Sequence, residues 1–118
     1  MSPIFHAKIH AKQWGGEPDE YIKIDEFIDS SKFHFENVAH RALLHSSFGV
    51  MMAEQFFGSS FTNSVGRIVP VREIAINHIR QDLGFVPSVD KWLNNLQLQP
   101  WMSGTRKFSQ PKPQTIEY

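Results

Sequence analysis

The longest helical pattern of this chain runs from about residue 36 to residue 57, and it limits the possible folds more than any other feature. Apolar side chains recur there at spacings of three and four, and no proline interrupts them. We therefore predict one long helix that ends at Gly58. Gly49 lies inside this stretch, where the missing side chain would let a neighbouring segment pack closely.

Further helical patterns lie on both sides of the long one. Ser2 and Pro3 form a favourable helix start, and Pro70 opens another pattern that ends at Gly84. Residues 22–29 are ambiguous, with an extended start followed by a helical turn. The predicted helices outside the long one are therefore 3–14, 71–83 and 89–98, the last of them capped by Ser88.

These patterns predict an all-α or mostly α fold, a compact bundle of about four to five helices. Residues 59–70 are rich in serine, asparagine and glycine and are a candidate for a short β-hairpin. The hydrophobic fraction of 41% is enough for one core over a single domain at residues 1–104, to which Trp101 is expected to return. Residues 105–118 hold two prolines and no period, which predicts a flexible tail.

Charge and cysteine content exclude several classes of protein. The 12 basic and 12 acidic residues give a formal net charge of zero, and the basic residues are scattered, so nucleic-acid binding is not expected. A net charge near zero also gives little protection against self-association, which leaves a homo-oligomer open. Because there is no cysteine, disulfides, thiolate nucleophiles and Cys-based zinc sites are excluded.

No segment has the features of a leader peptide or of a membrane anchor. The first residues lack a long apolar run and a small-residue cleavage site. No stretch approaches about 18 consecutive apolar residues, so no membrane span is expected. Together with the missing disulfides, these features predict a cytoplasmic protein.

Six histidines and a few carboxylates are the main candidates for chemistry. His78 and Asp82 are four residues apart on a predicted helix, so they share a face and could chelate one ion, or Asp82 could orient the imidazole. The alternative is an exposed pair that stabilises the helix. His6 and His10 have the same spacing, but the glutamate of H-E-x-x-H is missing, so His6 alone is the better candidate ligand.

A second polar group lies near the start of the long helical pattern. His40 and His45 are five residues apart and would point in different directions on a continuous helix, so another element must complete any site they form. Arg41 matches a phosphate or carboxylate in geometry, or could equally pair with Asp29. The chain has no glycine-rich phosphate loop and no G-x-S-x-G, so no organic cofactor is expected.

Four segments of the chain form a joint pattern: HRALLHSSFG, AEQFFG, GRIVPVREIAINHIRQDLGFVPSVDKWL and PWM. They resemble a family of small uncharacterised bacterial and phage proteins, classed only as a domain of unknown function. The resemblance rests on H-R-A-L-x-H and V-P-V-R-x-I-x-x-x-H-x-x-x-D-L-G-x-x-P and covers roughly residues 5–104. It implies no activity.

The family resemblance marks a set of polar residues at matching positions. This chain departs from the family pattern at Asp25, where relatives often carry His, and at His10, where they often carry a small polar residue. The matching positions are His6, Asp29, Lys32, His40, Arg41, His45, Glu54, Arg72, His78 and Asp82.

Two hypotheses for the function remain. The first is a metal-dependent hydrolase for a phosphate-containing or other anionic small molecule, with Zn²⁺, Mn²⁺ or Fe²⁺ suited to ligands without sulfur. The second is a non-enzymatic protein–protein interaction module, a phage or bacterial accessory protein whose histidines are structural. In the first, the metal ligands are His6, His40, His45, His78 and Asp82, and the catalytic residues are His40, His45, Arg41 and Lys32.

Overall fold

The computed structural model describes residues 1–33, 41–94 and 97–103 of the 118-residue chain. Within these ranges the structure is mostly helical and contains a two-stranded hairpin, so the predicted fold class is confirmed. The tail predicted at 105–118 lies outside the described residues. The elements are α1 (Pro3–Trp14), α2 (Ile22–Ile28), α3 (Arg41–Leu44), α4 (Ser47–Phe57), β1 (Ser60–Thr62), β2 (Ile68–Pro70), α5 (Val71–Leu83) and α6 (Val89–Leu93), with short 3-10 turns at Pro18–Glu20, Ser30–Phe33 and Pro100–Ser103.

Helix α1 begins at Pro3, as the sequence predicts, and ends at Gly15, which has a φ of 92°. Ser2 occupies the cap position, but its side chain makes no capping hydrogen bond, so the fixed φ of proline is what favours the start. The buried face of α1 carries His6 and His10. Because they are four residues apart, these two imidazoles enter the core from neighbouring turns.

Helix α2 is helical from its first residue, so the extended start predicted for residues 22–24 is wrong. Tyr21 precedes this helix, is fully buried, and donates a hydrogen bond from its hydroxyl to the backbone oxygen of Gly15 at 2.6 Å. Ile24 and Ile28 are buried on the helix face that points to the core. This burial outweighs the intrinsic β propensity of isoleucine.

The single long helix predicted over residues 36–57 is wrong at residues 45–46, where the chain leaves the helical path between α3 and α4. Ser46 is extended, with φ −158° and ψ 172°, and its hydroxyl accepts a hydrogen bond from the backbone N–H of Gly49. Serine is a better helix cap than interior residue, because its hydroxyl competes for backbone donors. The break leaves His45 buried between two helices.

Gly49 allows α3 and α4 to meet at this break. A Cβ atom on Gly49 would overlap the backbone oxygen of Leu44, which lies at the end of α3. Backbone atoms held in a helix cannot move aside as a flexible side chain can. The close neighbour that the sequence predicts for Gly49 is therefore the preceding helix.

Replacing Gly49 by alanine is expected to destabilise the protein by about 3 kcal/mol or more, because the added methyl group overpacks a junction closed by backbone. The free energy of unfolding, measured by chemical denaturation, checks this value. Gln55→Ala is the matched control, because Gln55 is exposed on the same helix. A Gly49→Ala protein as stable as the wild type would show that α3 and α4 do not meet in this way.

The hairpin predicted near residues 59–70 is present, and its two strands pair antiparallel. Asn63 begins the turn, and its side-chain oxygen accepts hydrogen bonds from the backbone N–H groups of Val65 and Arg67. Its amide group donates to the Tyr21 hydroxyl and to the last backbone oxygen of α1. One buried asparagine thus fixes the turn and ties the hairpin to the helices.

The core lies between α1, α2, α4 and α5, and α2 and α5 each contact the other three helices. Buried polar residues of α2 and α5 lie together in the same interior. Buried apolar side chains from three of the helices include Ile24, Ile28, Val50, Ala53, Ile74 and Ile79.

Two expectations about the end of the domain are wrong. Helix α6 ends at Leu93 instead of near residue 98. Trp101 is 70% exposed and does not return to the core. An exposed tryptophan needs no special cause, since apolar atoms supply much of any protein surface. In the part of the chain that the structure describes, no helix is both long enough and apolar enough to cross a membrane.

Candidate metal centre

Polar side chains from separate parts of the chain meet in the core. Asp29, His45, His78 and Asp82 each offer one ligand atom, and these four atoms lie within 4.8 Å of one another. Asp29 follows α2, His45 lies between α3 and α4, and His78 and Asp82 are one turn apart on α5. His6 of α1 joins them, with its Nε2 at 3.3 Å from Asp82 Oδ1. We call these five residues the His/Asp cluster.

The His/Asp cluster is almost closed to solvent. Its three imidazoles are fully buried, Asp29 is 5% exposed, and the side chain of Asp82 is 2% exposed. An ionised carboxylate in such a place is unfavourable unless positive charge and hydrogen bonds compensate for the lost water. The imidazoles, a cation bound to them, and the charged groups of Met1 and Arg41 beside Asp82 can compensate here.

Asp82 is the centre of the cluster. Its Oδ2 lies 2.8 Å from Nε2 of His45 and 3.4 Å from Nε2 of His78. Burial alone would raise the pKa of Asp82, but its contacts with the imidazoles of His45, His6 and His78 outweigh burial and hold that pKa well below its usual range. Asp82 is therefore a carboxylate with nitrogen atoms on several sides.

Asp29 is the second carboxylate of the cluster. Its Oδ1 lies 3.3 Å from Nε2 of His78 and 3.5 Å from Nε2 of His45. Burial raises the pKa of Asp29, but the hydrogen bond and the charge of His78 lower it by more. Its other oxygen, Oδ2, is buried and has no hydrogen-bond partner among the residues that the structure describes.

Asp25 fixes the orientation of His78. Its Oδ1 accepts a hydrogen bond from His78 Nδ1 at 2.8 Å, and a carboxylate oxygen can only accept, so Nδ1 carries a hydrogen. The opposite nitrogen, Nε2, therefore faces Asp29 and Asp82. Burial alone would lower the pKa of His78, but hydrogen bonds to these three carboxylates raise the pKa to about 10. A proton on Nε2 thus occupies the place where a metal ion would bind this nitrogen.

His6 presents its Nε2 to the cluster in a similar way. Its Nδ1 donates to Oε1 of Gln81 at 2.6 Å, and its ring stacks on that of His78 with the centroids 3.7 Å apart. Nε2 is buried and, among the described residues, receives no hydrogen bond. It lies close to a carboxylate oxygen that has no proton to offer. In a neutral imidazole that donates from Nδ1, this nitrogen carries the lone pair that a metal ligand must provide.

His45 differs from His78 in its protonation. Burial lowers the pKa of His45, and the hydrogen bond to Asp82 does not reverse that effect. His45 is therefore neutral near pH 7, which is the form of imidazole that binds metal ions. The backbone oxygen of His45 accepts a hydrogen bond from the indole of Trp92 at 2.8 Å, which helps to hold the junction between α3 and α4 in place.

His10 stands behind the cluster and is not part of it. Its Nε2 lies 2.9 Å from Oδ1 of Asp25, the same oxygen that accepts from His78. His10 and Asp25 are both fully buried. A carboxylate behind a histidine is the usual outer layer of a metal site, because it fixes the tautomer and the ring orientation.

Asp25 and Asp29 were candidate carboxylate partners from the sequence, but neither was among the predicted metal ligands or catalytic residues. The two are four residues apart, and that spacing puts them on one side of a helix. The extended start was predicted only for residues 22–24, so the predicted helical turn already placed both carboxylates on one side. The spacing does not show that the imidazoles of His45 and His78 pack against that side.

The structure brings most of the predicted metal ligands together. His40 lies outside the described residues, so its predicted role as ligand and catalyst stays a prediction. The predicted ligands that meet in the cluster are His6, His45, His78 and Asp82.

Two predicted catalytic residues lie beside the cluster. Arg41 is half-buried, and its Nη2 is 3.9 Å from Oδ1 of Asp82. The Met1 amino group approaches the same oxygen at 3.3 Å. Lys32 is exposed, and its charge is one of the influences that lower the pKa of Asp29. Arg41 is near enough to act on an anion at the cluster, and the catalytic roles of Arg41 and Lys32 stay predictions.

Comparisons with known proteins give a family and no activity. No curated protein and no solved structure matches this chain. The model of a family described as "Domain of unknown function (DUF6915)" matches residues 1–102. This agrees with the expected uncharacterised family, whereas an origin in bacteria or phages stays a prediction. Because the match spans most of the chain and includes the whole His/Asp cluster, the chain belongs to this family, the domain of unknown function DUF6915.

Proposed function

We propose that this protein is a metal-dependent hydrolase that acts on a small anionic molecule, with a phosphate ester as the first candidate. One divalent ion would be held by the His/Asp cluster. The observation that carries the proposal is the convergence of four ligand atoms within 4.8 Å, from three separate parts of the chain, in a buried place.

The charges in the cluster support a metal ion over a purely polar core. Asp29 and Asp82 are buried carboxylates, and both have lowered pKa values. The nearest protons are those of the imidazoles. With its pKa raised to about 10, His78 keeps its second ring proton at neutral pH. A divalent ion would replace that proton and would also use the lone pair of His6 Nε2, which is buried without a hydrogen bond from the described residues.

The ligand chemistry favours particular metals. Imidazole nitrogen and carboxylate oxygen without sulfur suit Zn²⁺, Mn²⁺ or Fe²⁺. An ion of this kind supplies a Lewis acid that activates water at neutral pH. In the hydrolysis of a phosphate ester, the water oxygen bonds to phosphorus, the bond to the leaving oxygen breaks, and a water proton goes to the leaving group.

The protein's own residues would bind the substrate and handle its proton. Arg41 and Lys32 would hold the anionic group, since both are cations beside the cluster. Neutral His45 is suited to accept a proton or to bind the ion. His40 keeps its predicted place as a further ligand or catalyst, next to Arg41 in the chain.

Metal removal and return tests the proposal. The chain is stripped with a chelator, reloaded with Zn²⁺, Mn²⁺ or Fe²⁺, and assayed on phosphate monoesters and diesters with a chromogenic leaving group. We expect turnover only after reloading, and a loss of about tenfold or more in Arg41→Met with metal content unchanged. Arg80→Met is the control, because Arg80 is exposed on α5 and does not contact the cluster.

The interaction module remains as a second candidate because of one observation. The imidazoles of His6, His45 and His78 are fully buried, and closed sites are more typical of structural ions than of catalytic ones. A chain that binds one metal ion tightly but turns over no anionic ester would favour this second function. A chain that binds no metal at all would exclude the hydrolase.

A further inference from the structure

A cavity formed by the described residues adjoins the His/Asp cluster. Its volume is about 840 Å³, and Asp29 lines it. We infer that this cavity binds an organic oxyanion with an aromatic body, whose anionic group faces the cluster and whose ring packs on phenylalanine. The inference rests on the proposed function for the metal at the anionic end, and it adds the chemical class of the substrate.

One wall of the cavity is aromatic. Phe27 and Phe56 stack with their centroids 5.4 Å apart, and Phe57 meets Phe27 edge-on at 5.7 Å. Phe56 is 71% exposed although it is among the largest apolar side chains of the chain. An aromatic ring in the cavity would cover part of this exposed surface and would stack as the phenylalanines stack on one another.

The cavity lining also carries charged side chains. Lys23 and Lys32 line it together with Glu26, and all three are exposed. Asp29 lines it as well, with its Oδ1 directed at the imidazoles of the cluster. The charged lining is thus two lysines and two carboxylates, and the lysines are the groups that the anionic part of a ligand would contact.

Asp29 is the point where cavity and cluster meet. Its Oδ1 faces the imidazoles of His78 and His45, and its Oδ2 is buried without a partner among the described residues. A ligand whose anionic group is paired with Lys32, the cation whose charge acts on Asp29, would therefore be near the proposed metal ion. The phenylalanines then hold the rest of the molecule away from the ion.

The volume of the cavity favours a small molecule as its ligand. Cavities of roughly 300–1,000 Å³ with mostly apolar walls and a few charged groups are typical of small-molecule sites. A second cavity, of about 250 Å³ beside Glu54 and Arg72, has no residue of the cluster in its lining. The larger cavity is thus the one that joins an aromatic wall to the candidate metal centre.

Two phosphonates that differ only by a phenyl group test the inference, because neither contains an ester that can be hydrolysed. Benzylphosphonate and methylphosphonate are titrated into the full chain by calorimetry, with and without Zn²⁺. We expect benzylphosphonate to bind at least about tenfold more tightly, since it buries an aromatic ring. Phe56→Ala should reduce this preference about threefold or more, and Lys32→Met should weaken both ligands alike.

Phe5→Ala is the matched control, because Phe5 is 54% exposed on α1 and does not line the cavity. Equal affinities for the two phosphonates, or a preference unchanged in Phe56→Ala, would overturn the inference. Metal content measured on the same samples separates this outcome from failure of the proposed function. If benzylphosphonate binds more tightly but the protein holds no metal, the result supports the aromatic site and contradicts only the metal ion beside it.

Discussion

Replacing His78 by alanine is expected to lower the affinity for Zn²⁺ at least about 100-fold, because loss of an outer partner alone costs about 10–100-fold and His78 is a direct ligand. The metal-free protein should also lose about 3–5 kcal/mol of stability, as buried pairs do when one partner is removed. His78 lies within hydrogen-bond range of Asp25 and Asp29 and approaches Asp82 at 3.4 Å, so its removal leaves three buried carboxylates short of a partner.

The measurements are a competition titration with a zinc-binding dye and chemical denaturation in a chelator. Arg80→Ala is the control, since Arg80 is exposed on the same helix and should change neither quantity. If His78→Ala does not fold, His78→Gln keeps a polar side chain in the same place and allows the titration. Metal affinity equal to wild type in a folded His78 variant would show that the imidazole is not a ligand.

Replacing Asp82 by asparagine is the second substitution with a large expected effect. The amide has nearly the same volume but no charge, and Asp82 is the residue around which His6, His45 and His78 are arranged. We expect the affinity for Zn²⁺ to fall at least about 100-fold and the metal-free protein to lose about 3 kcal/mol. Both follow from the loss of the negative charge that would bind the metal ion and that pairs with the protonated imidazole of His78.

The same titration and denaturation measure these losses. Asp90→Asn is the control, because Asp90 is exposed in the first turn of α6. Circular dichroism shows whether Asp82→Asn keeps its helices, so a lost ligand can be distinguished from a lost fold. A folded Asp82→Asn protein that still binds one Zn²⁺ as tightly as wild type would remove Asp82 from the proposed site.

Helix starts and stops could be predicted from the sequence where a single residue fixes the backbone. Pro3 and Pro70 lie at the predicted starts, and Gly84 ends α5 in the left-handed conformation with a φ of 89°. The break at Ser46 could not be predicted from periodicity, because apolar spacing continues through it. It depends on a hydroxyl that caps α4 and on Gly49, which lets the backbone of α3 come close.

The candidate site could be predicted only where its residues lie close together along the chain. His78 and Asp82 are one helical turn apart, so their pairing follows from local geometry. The approach of His45 and His6 to this pair depends on how three helices pack, which no spacing along the chain encodes. Asp25 and Asp29 share one side of a helical turn, but that this side meets the imidazoles of the cluster depends on how α2 packs against the other helices.

The central claim is that a divalent metal ion binds among the imidazoles of His6, His45 and His78. Anomalous scattering from crystals grown with Zn²⁺ or Mn²⁺ tests it most directly, because the signal locates the ion and identifies the element. The account predicts a peak roughly 2.0–2.3 Å from Nε2 of these histidines or from an oxygen of Asp82. Crystals grown with excess metal that show no ion at the cluster, or an ion bound elsewhere, would contradict it.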